Sequence, residues 1–125
     1  MKLILAAVLA LFALAGCSTT GEQKPVDIPA TVAKVCPPVK STLVLLRVSP
    51  SIQPHTLEAL DKAEPYVTKV CDPATLANLS DIYALADVAL PEIVKAIADS
   101  DLKPEQKEAA IIALTVAQVA IAAAK

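Results

Sequence analysis

From Ala109 to Ala124 the chain offers water almost no polar side chain: only Thr115 and Gln118 interrupt a run of alanine, isoleucine, leucine and valine. The run opens on Pro104-Glu105-Gln106, with proline and an acid in the first turn, as helix geometry and the macrodipole favour, and it closes on the cation Lys125. A helix that is apolar all round must be covered on most sides, by its own domain, by a partner or by lipid. The sixteen residues between Glu108 and Lys125 rise about 24 Å, short of a hydrocarbon core of about 30 Å, and Gln118 would lie within it. The segment therefore reads as the central helix of an all-α domain, with use of the helix in lipid as the alternative. Ala109, Ala113 and Ala117 recur at four-residue steps and would let another helix approach closely, which makes them the expected seam for core packing, a protein partner or self-association.

The rest of the chain also carries helical spacing. Leu57, Leu60, Val67 and Cys71 fall on one side, and Glu58, Asp61, Lys62 and Lys69 on the other, so an amphipathic helix starts near His55, with Pro65 expected to kink or split it after Glu64. Asp72-Pro73 reads as an N-cap followed by proline at the first helical position, which predicts a restart with Leu76, Leu79, Tyr83, Ala86 and Leu90 as its buried stripe. A short helix from Glu92 to Ala98 then buries Ile93, Val94 and Ile97. Thr42 to Val48 is rich in β-branched residues, but a lone strand has no partner for its hydrogen bonds, so this stretch is read as helix or as buried extended chain. Cys36-Pro37-Pro38 predicts an extended entry, because proline biases the residue before it away from the helix. The sum is a small domain of about four to five helices over 36–125.

At the other end, Met1 and Lys2 precede thirteen uncharged apolar residues, Leu3 to Ala15, and small residues follow. That is the pattern of a secretory signal peptide, too short to span a bilayer permanently. Its ending, Leu14-Ala15-Gly16-Cys17, resembles the lipobox of bacterial lipoproteins and matches it at every position. The resemblance implies cleavage after Gly16, a diacylglycerol joined to the Cys17 thiol, acylation of the new amino group, and attachment of the protein to the membrane through that anchor. Acyl burial contributes about 0.8 kcal/mol per CH₂, so two or three chains hold almost irreversibly. Ser18 beside the lipidated cysteine implies the outer membrane in a Gram-negative host. Lys125 is similar to the C-terminal lysine through which murein lipoproteins are joined to peptidoglycan, although the long heptad helix of those proteins has no counterpart here. Residues 1–16 are thus the expected signal peptide. Residues 17–35, polar and proline-punctuated from Ser18 onward, are the expected lipidated cysteine and flexible tether.

Export also decides how Cys36 and Cys71 are read. Thiols in an oxidising compartment tend to pair, there is no C-x-x-C, and His55 is the only histidine, so a Cys36–Cys71 disulfide is more economical than a metal site or a redox pair. The net charge of −2, or −3 once Lys2 is removed, offers no basic surface for phosphate backbones, so nucleic acid is not expected as a partner. Cys71 to Val94 carries Asp72, Asp81, Asp87 and Glu92 with no Lys or Arg, which predicts an acidic face, but no calcium-loop pattern accompanies it. No catalytic motif, cofactor fingerprint or metal-ligand spacing occurs, and Gly21 is the last glycine in the chain. The functional expectation is a lipid-anchored envelope protein acting as an interaction or structural module. A membrane-perturbing or lysis accessory lipoprotein that uses the C-terminal helix is the first alternative, and a periplasmic enzyme is the second.

Overall fold

In the computed structural model, residues 25–125 are described, and all of their regular structure is helical. The expected signal peptide, Cys17 and most of the expected tether lie outside them. Helix α1 is Ile28–Arg47, α2 is Pro54–Cys71, α3 is Leu79–Ala84, α4 is Leu90–Asp99 and α5 is Pro104–Ala122. A π-helical turn, Leu85–Ala89, joins α3 to α4 without a break, so the five α segments form four rods.

Short loops make successive rods antiparallel, and cross-links between their ends fix the order. Arg47, at the end of α1, pairs with Asp61 and Glu64 in the middle of α2. His55, at the start of α2, lies 3.9 Å from Asp99 at the end of α4. The Lys107 ammonium in the first turn of α5 donates to the Ala98 carbonyl at 2.9 Å, and the Tyr83 hydroxyl donates to the Ala124 carbonyl at 3.1 Å. Helix α5 then lies along α1, which closes an up-down-up-down bundle. Its core draws Val35, Val39 and Leu46 from α1, Leu60, Ala63 and Val67 from α2, Ile82 to Ile97 from the third rod, and Ala110, Leu114, Ala117 and Ile121 from α5.

Helix α1 departs most from the sequence expectation. It begins eight residues before Cys36, inside the segment read as tether, and carries Pro37 and Pro38 in its interior where an extended entry was expected. Its start is set by Asp27, whose carboxylate accepts the Ala30 N–H at 3.0 Å, and by Pro29 in the first turn. The two prolines leave the Ala33 and Lys34 carbonyls without their helical donors, but both of those residues are exposed and water can satisfy them. What holds the helix through this point is the buried row Thr31, Val35, Val39, Thr42 and Leu46, together with Cys36. Just beyond the prolines, the Ser41 and Thr42 hydroxyls both donate to the Pro38 carbonyl, at 3.0 and 2.8 Å. Thr42 to Arg47 is helix, which resolves the earlier ambiguity over that stretch.

Helix α2 keeps Pro65 without splitting, and its buried row is Thr56, Ala59, Leu60, Ala63, Val67, Val70 and Cys71, leaving Leu57 exposed. No helix restarts at Asp72-Pro73. Instead the Asp72 carboxylate accepts the Ala74 N–H at 2.8 Å in a local turn, and the Thr75 hydroxyl donates to the Lys69 and Asp72 carbonyls, ending α2. The restart comes at Asn78, whose side chain and that of Asp81 form a reciprocal capping box.

The expected stripe from Leu76 to Leu90 is out of phase with the observed core of Ile82, Leu85, Ala89, Leu90, Ile93, Ala96 and Ile97. Tyr83 and Ala86 are only half-buried, and Leu76 stands fully in solvent. Leu76 lies in the loop ahead of the Asn78 cap and belongs to no helix. Further on, Pro91 cannot donate to the Asp87 carbonyl and the chain widens into the π turn, where the Leu90 N–H reaches back to the Leu85 carbonyl, so a 3.6-residue spacing that meets the buried Leu90 falls one residue off ahead of it, and Ile82 and Leu85 are buried in place of Tyr83 and Ala86.

Cys36 and Cys71 form a disulfide with a Cα–Cα distance of 5.5 Å across 35 residues of sequence. Closing a loop of that length stabilises the fold by about 4 kcal/mol in the chain-entropy estimate. Cys36→Ala and Cys71→Ala are each expected to destabilise the domain by about 2 to 5 kcal/mol, with the double variant no worse than either single one, as read from chemical denaturation midpoints.

Candidate functional site

The surface with the most unusual composition lies where α1 and α5 run side by side. Helix α5 turns Ala110, Leu114, Ala117 and Ile121 inward, and Leu114 retains 1% exposure. The same helix turns Ile112, Val116 and Val119 outward at 58%, 54% and 63% exposure, with Ile111 at its edge. The expectation of a central core helix is therefore corrected: its own domain covers one side of it only. The cause is composition, since a run without charge from Ala109 to Ala124 supplies an apolar outer face whenever either face is buried.

The three alanines of the expected seam differ in burial: Ala117 is fully buried, Ala113 half-buried and Ala109 exposed, so they spiral from the surface into the core. Small side chains do bring the two helices together, and they leave two shallow depressions along their seam. One, of about 300 Å³, lies between Ser41 and Leu45 on α1 and Ala109 and Ala113 on α5. The other, of about 390 Å³, lies between Ala30 and Lys34 near the start of α1 and Ala120 and Ala123 at the end of α5, and Pro25, Val26 and Asp27 complete its wall. Val44 and Val48 extend the apolar surface over the second half of α1.

A second concavity, of about 540 Å³, sits on the other side of α1 beside the disulfide. Ile28, Val32, Val70 and Ala77 line it, Leu76 stands at its rim, and Lys40 and Asp72 supply its charges. Nothing in it brings a nucleophile to a base.

Of the four acids of the expected acidic face, Asp81 is neutralised by an ion pair. The Asp81 carboxylate is 8% exposed, accepts the Lys69 ammonium at 2.7 Å and accepts the Asn78 N–H at 3.0 Å. The hydrogen bond from Lys69 and then that from Asn78 hold its pKa below the ordinary value of 3.8. Asp72 is occupied by the Ala74 N–H. Among the described residues no group of three or more His, Cys, Asp or Glu side chains is placed to hold a metal ion, and no helix is long and apolar enough to cross a membrane. Lys125, at the end of α5, places its ammonium 5.3 Å from the centroid of the Tyr83 ring.

Two outcomes follow from this surface. Because the folded-state pKa of Asp81 is depressed, its contribution is complete above the ordinary value of 3.8 and is lost as pH falls through the lower folded-state value. Asp81→Asn should lower the melting temperature at neutral pH and flatten its fall in that acid window, as followed by circular dichroism. Val119→Lys should change stability by no more than about 0.5 kcal/mol, whereas Leu114→Lys should abolish cooperative melting by placing an unpaired charge in the core. Comparison of the chain with family models, with curated proteins and with solved structures finds no match, so its functional reading rests on these residues and their geometry.

Proposed function

We propose that this chain is a lipid-anchored protein of the bacterial cell envelope, held through Cys17 and placed in the outer membrane where the host is Gram-negative. Its helical domain acts by surface contact, as an interaction or structural module. The observation that carries the contact role is the uncharged outer face of α5, with Ile112, Val116 and Val119 together in solvent on one helix. Contiguous exposed apolar surface of this kind marks protein or membrane contact. The lipobox resemblance at Leu14 to Cys17 supports the anchor. Support for contact over insertion comes from the inner face of the same helix: transfer of α5 into lipid would remove Leu114, Ala117 and Ile121 from the core.

The anchor is tested at its thiol. In a bacterial host the N-terminal peptide of the mature protein is expected to begin at an acylated Cys17, and Cys17→Ser should give an unprocessed or soluble product. Mass spectrometry and membrane fractionation read both. An unmodified peptide beginning at Met1, or cleavage at another residue, refutes the reading.

A further inference from the structure

Resting on that reading, we infer that the partner of the α1–α5 face is the bilayer itself: the domain lies side-on against the membrane with the outer row of α5 in the interface. The first ground is where the anchored segment ends. Pro25, Val26 and Asp27 pack beside Ala120, Ala123 and Ala124, so the chain leading from Cys17 enters the domain at one end of this face. Only seven residues, 18–24, separate Cys17 from Pro25, a path of eight Cα–Cα steps. That path reaches at most about 27 Å, while the 20-residue α1 is about 30 Å long. A leash no longer than the domain, rooted at the edge of its apolar face, lets that face lie down on the lipid.

Charge orders the same surface. No charged residue lies between Ala109 and Ala124. At the end of α5 far from the root Glu105 and Glu108 stand among Lys103 and Lys107 and their charges balance, while Lys34 borders the depression at the root and Lys125 ends the chain just beyond it. Asp27 is also at the root, but its carboxylate is engaged in capping α1. Cations at the root, beside an otherwise uncharged row, suit an anionic headgroup layer. The face carries rows of Val, Ile and Ala. Such rows gain by leaving water for any apolar medium, without needing a matching socket. The bundle stays folded, because Leu114, Ala117 and Ile121 remain inside it. The helix lies on the membrane and does not cross it.

The test uses the full chain, expressed in a bacterial envelope with a photoreactive diazirine side chain at Val116, at Val119 or at the exposed Leu57 on α2, across the bundle from α5. Illumination is followed by mass spectrometry of the adducts, and the N-terminal peptide is read from the same sample. With Cys17 acylated, phospholipid adducts at Val116 and Val119 should exceed those at Leu57 by about tenfold, as expected of side chains held in the interface. Adducts joining two copies of the chain, adducts to another envelope protein, or equal lipid labelling at all three positions would overturn the inference while leaving the anchor intact. A non-acylated N-terminal peptide would instead overturn the anchor, and this inference with it.

Discussion

The Cys36–Cys71 bond joins the weakest turn of one helix to the last residue of the next, and the arrangement of the bundle depends on it. Directly after Cys36 stand Pro37 and Pro38, which cannot donate to the backbone ladder of α1. An interior proline disfavours a helix by about 3 kcal/mol, the same order as the stabilisation of about 4 kcal/mol from a crosslink of this span. The bond fixes the face of α1 that meets α2, and the Arg47 pairs with Asp61 and Glu64 hold the same register a few turns away. With α1 set, α5 has one trough to fill, and its small side chains Ala110 and Ala117 allow it to settle there.

Much of this was legible in the residues. The all-helical class followed from 3.6-residue spacing and the lack of a strand partner, and the disulfide followed from export and the poverty of other ligands. The failures have local causes. The extended entry expected at Cys36-Pro37-Pro38 is overruled because Thr31, Val35, Val39 and Thr42 bury one side of a helix around it. The helix start that went unread was written in Asp27-Ile28-Pro29, an N-cap with proline in the first turn, but the prolines nearby suggested a tether. Asp72-Pro73 carries the same kind of signal and does not start a helix, because Asp72 and Thr75 close a turn there first. Only tertiary packing separates the two cases. The phase error after Leu76 has another origin, since a π turn ahead of Pro91 cannot be seen in hydrophobic spacing that assumes a constant period.

The contact surface was half legible. That α5 lacks a polar face is plain in the sequence, whereas which side would remain outside depends on how Ala110, Leu114, Ala117 and Ile121 meet α1 and α4. Spacing alone suggested an edge made of Ala109, Ala113 and Ala117. In the fold a four-residue step drifts around a 3.6-residue helix, and the row passes from solvent into the core. The exposed row is instead Ile112, Val116 and Val119, at steps of four and three that average close to the helical period and so keep to one side.

An uncovered row of this kind is a liability for a freely diffusing domain, because apolar surface in water favours association with whatever surface it meets first. Anchoring changes which surface that is. A protein tied by a short leash encounters the membrane at an effective concentration far above that of any soluble partner, so even a weak apolar contact is occupied most of the time. The same row would then order the domain by favouring one orientation over free tumbling. It would also leave the concavity beside the disulfide, on the other side of α1, turned away from the contact. A small bundle with one uncharged edge is thus physically coherent as a tethered object: the anchor supplies proximity, and the edge supplies orientation.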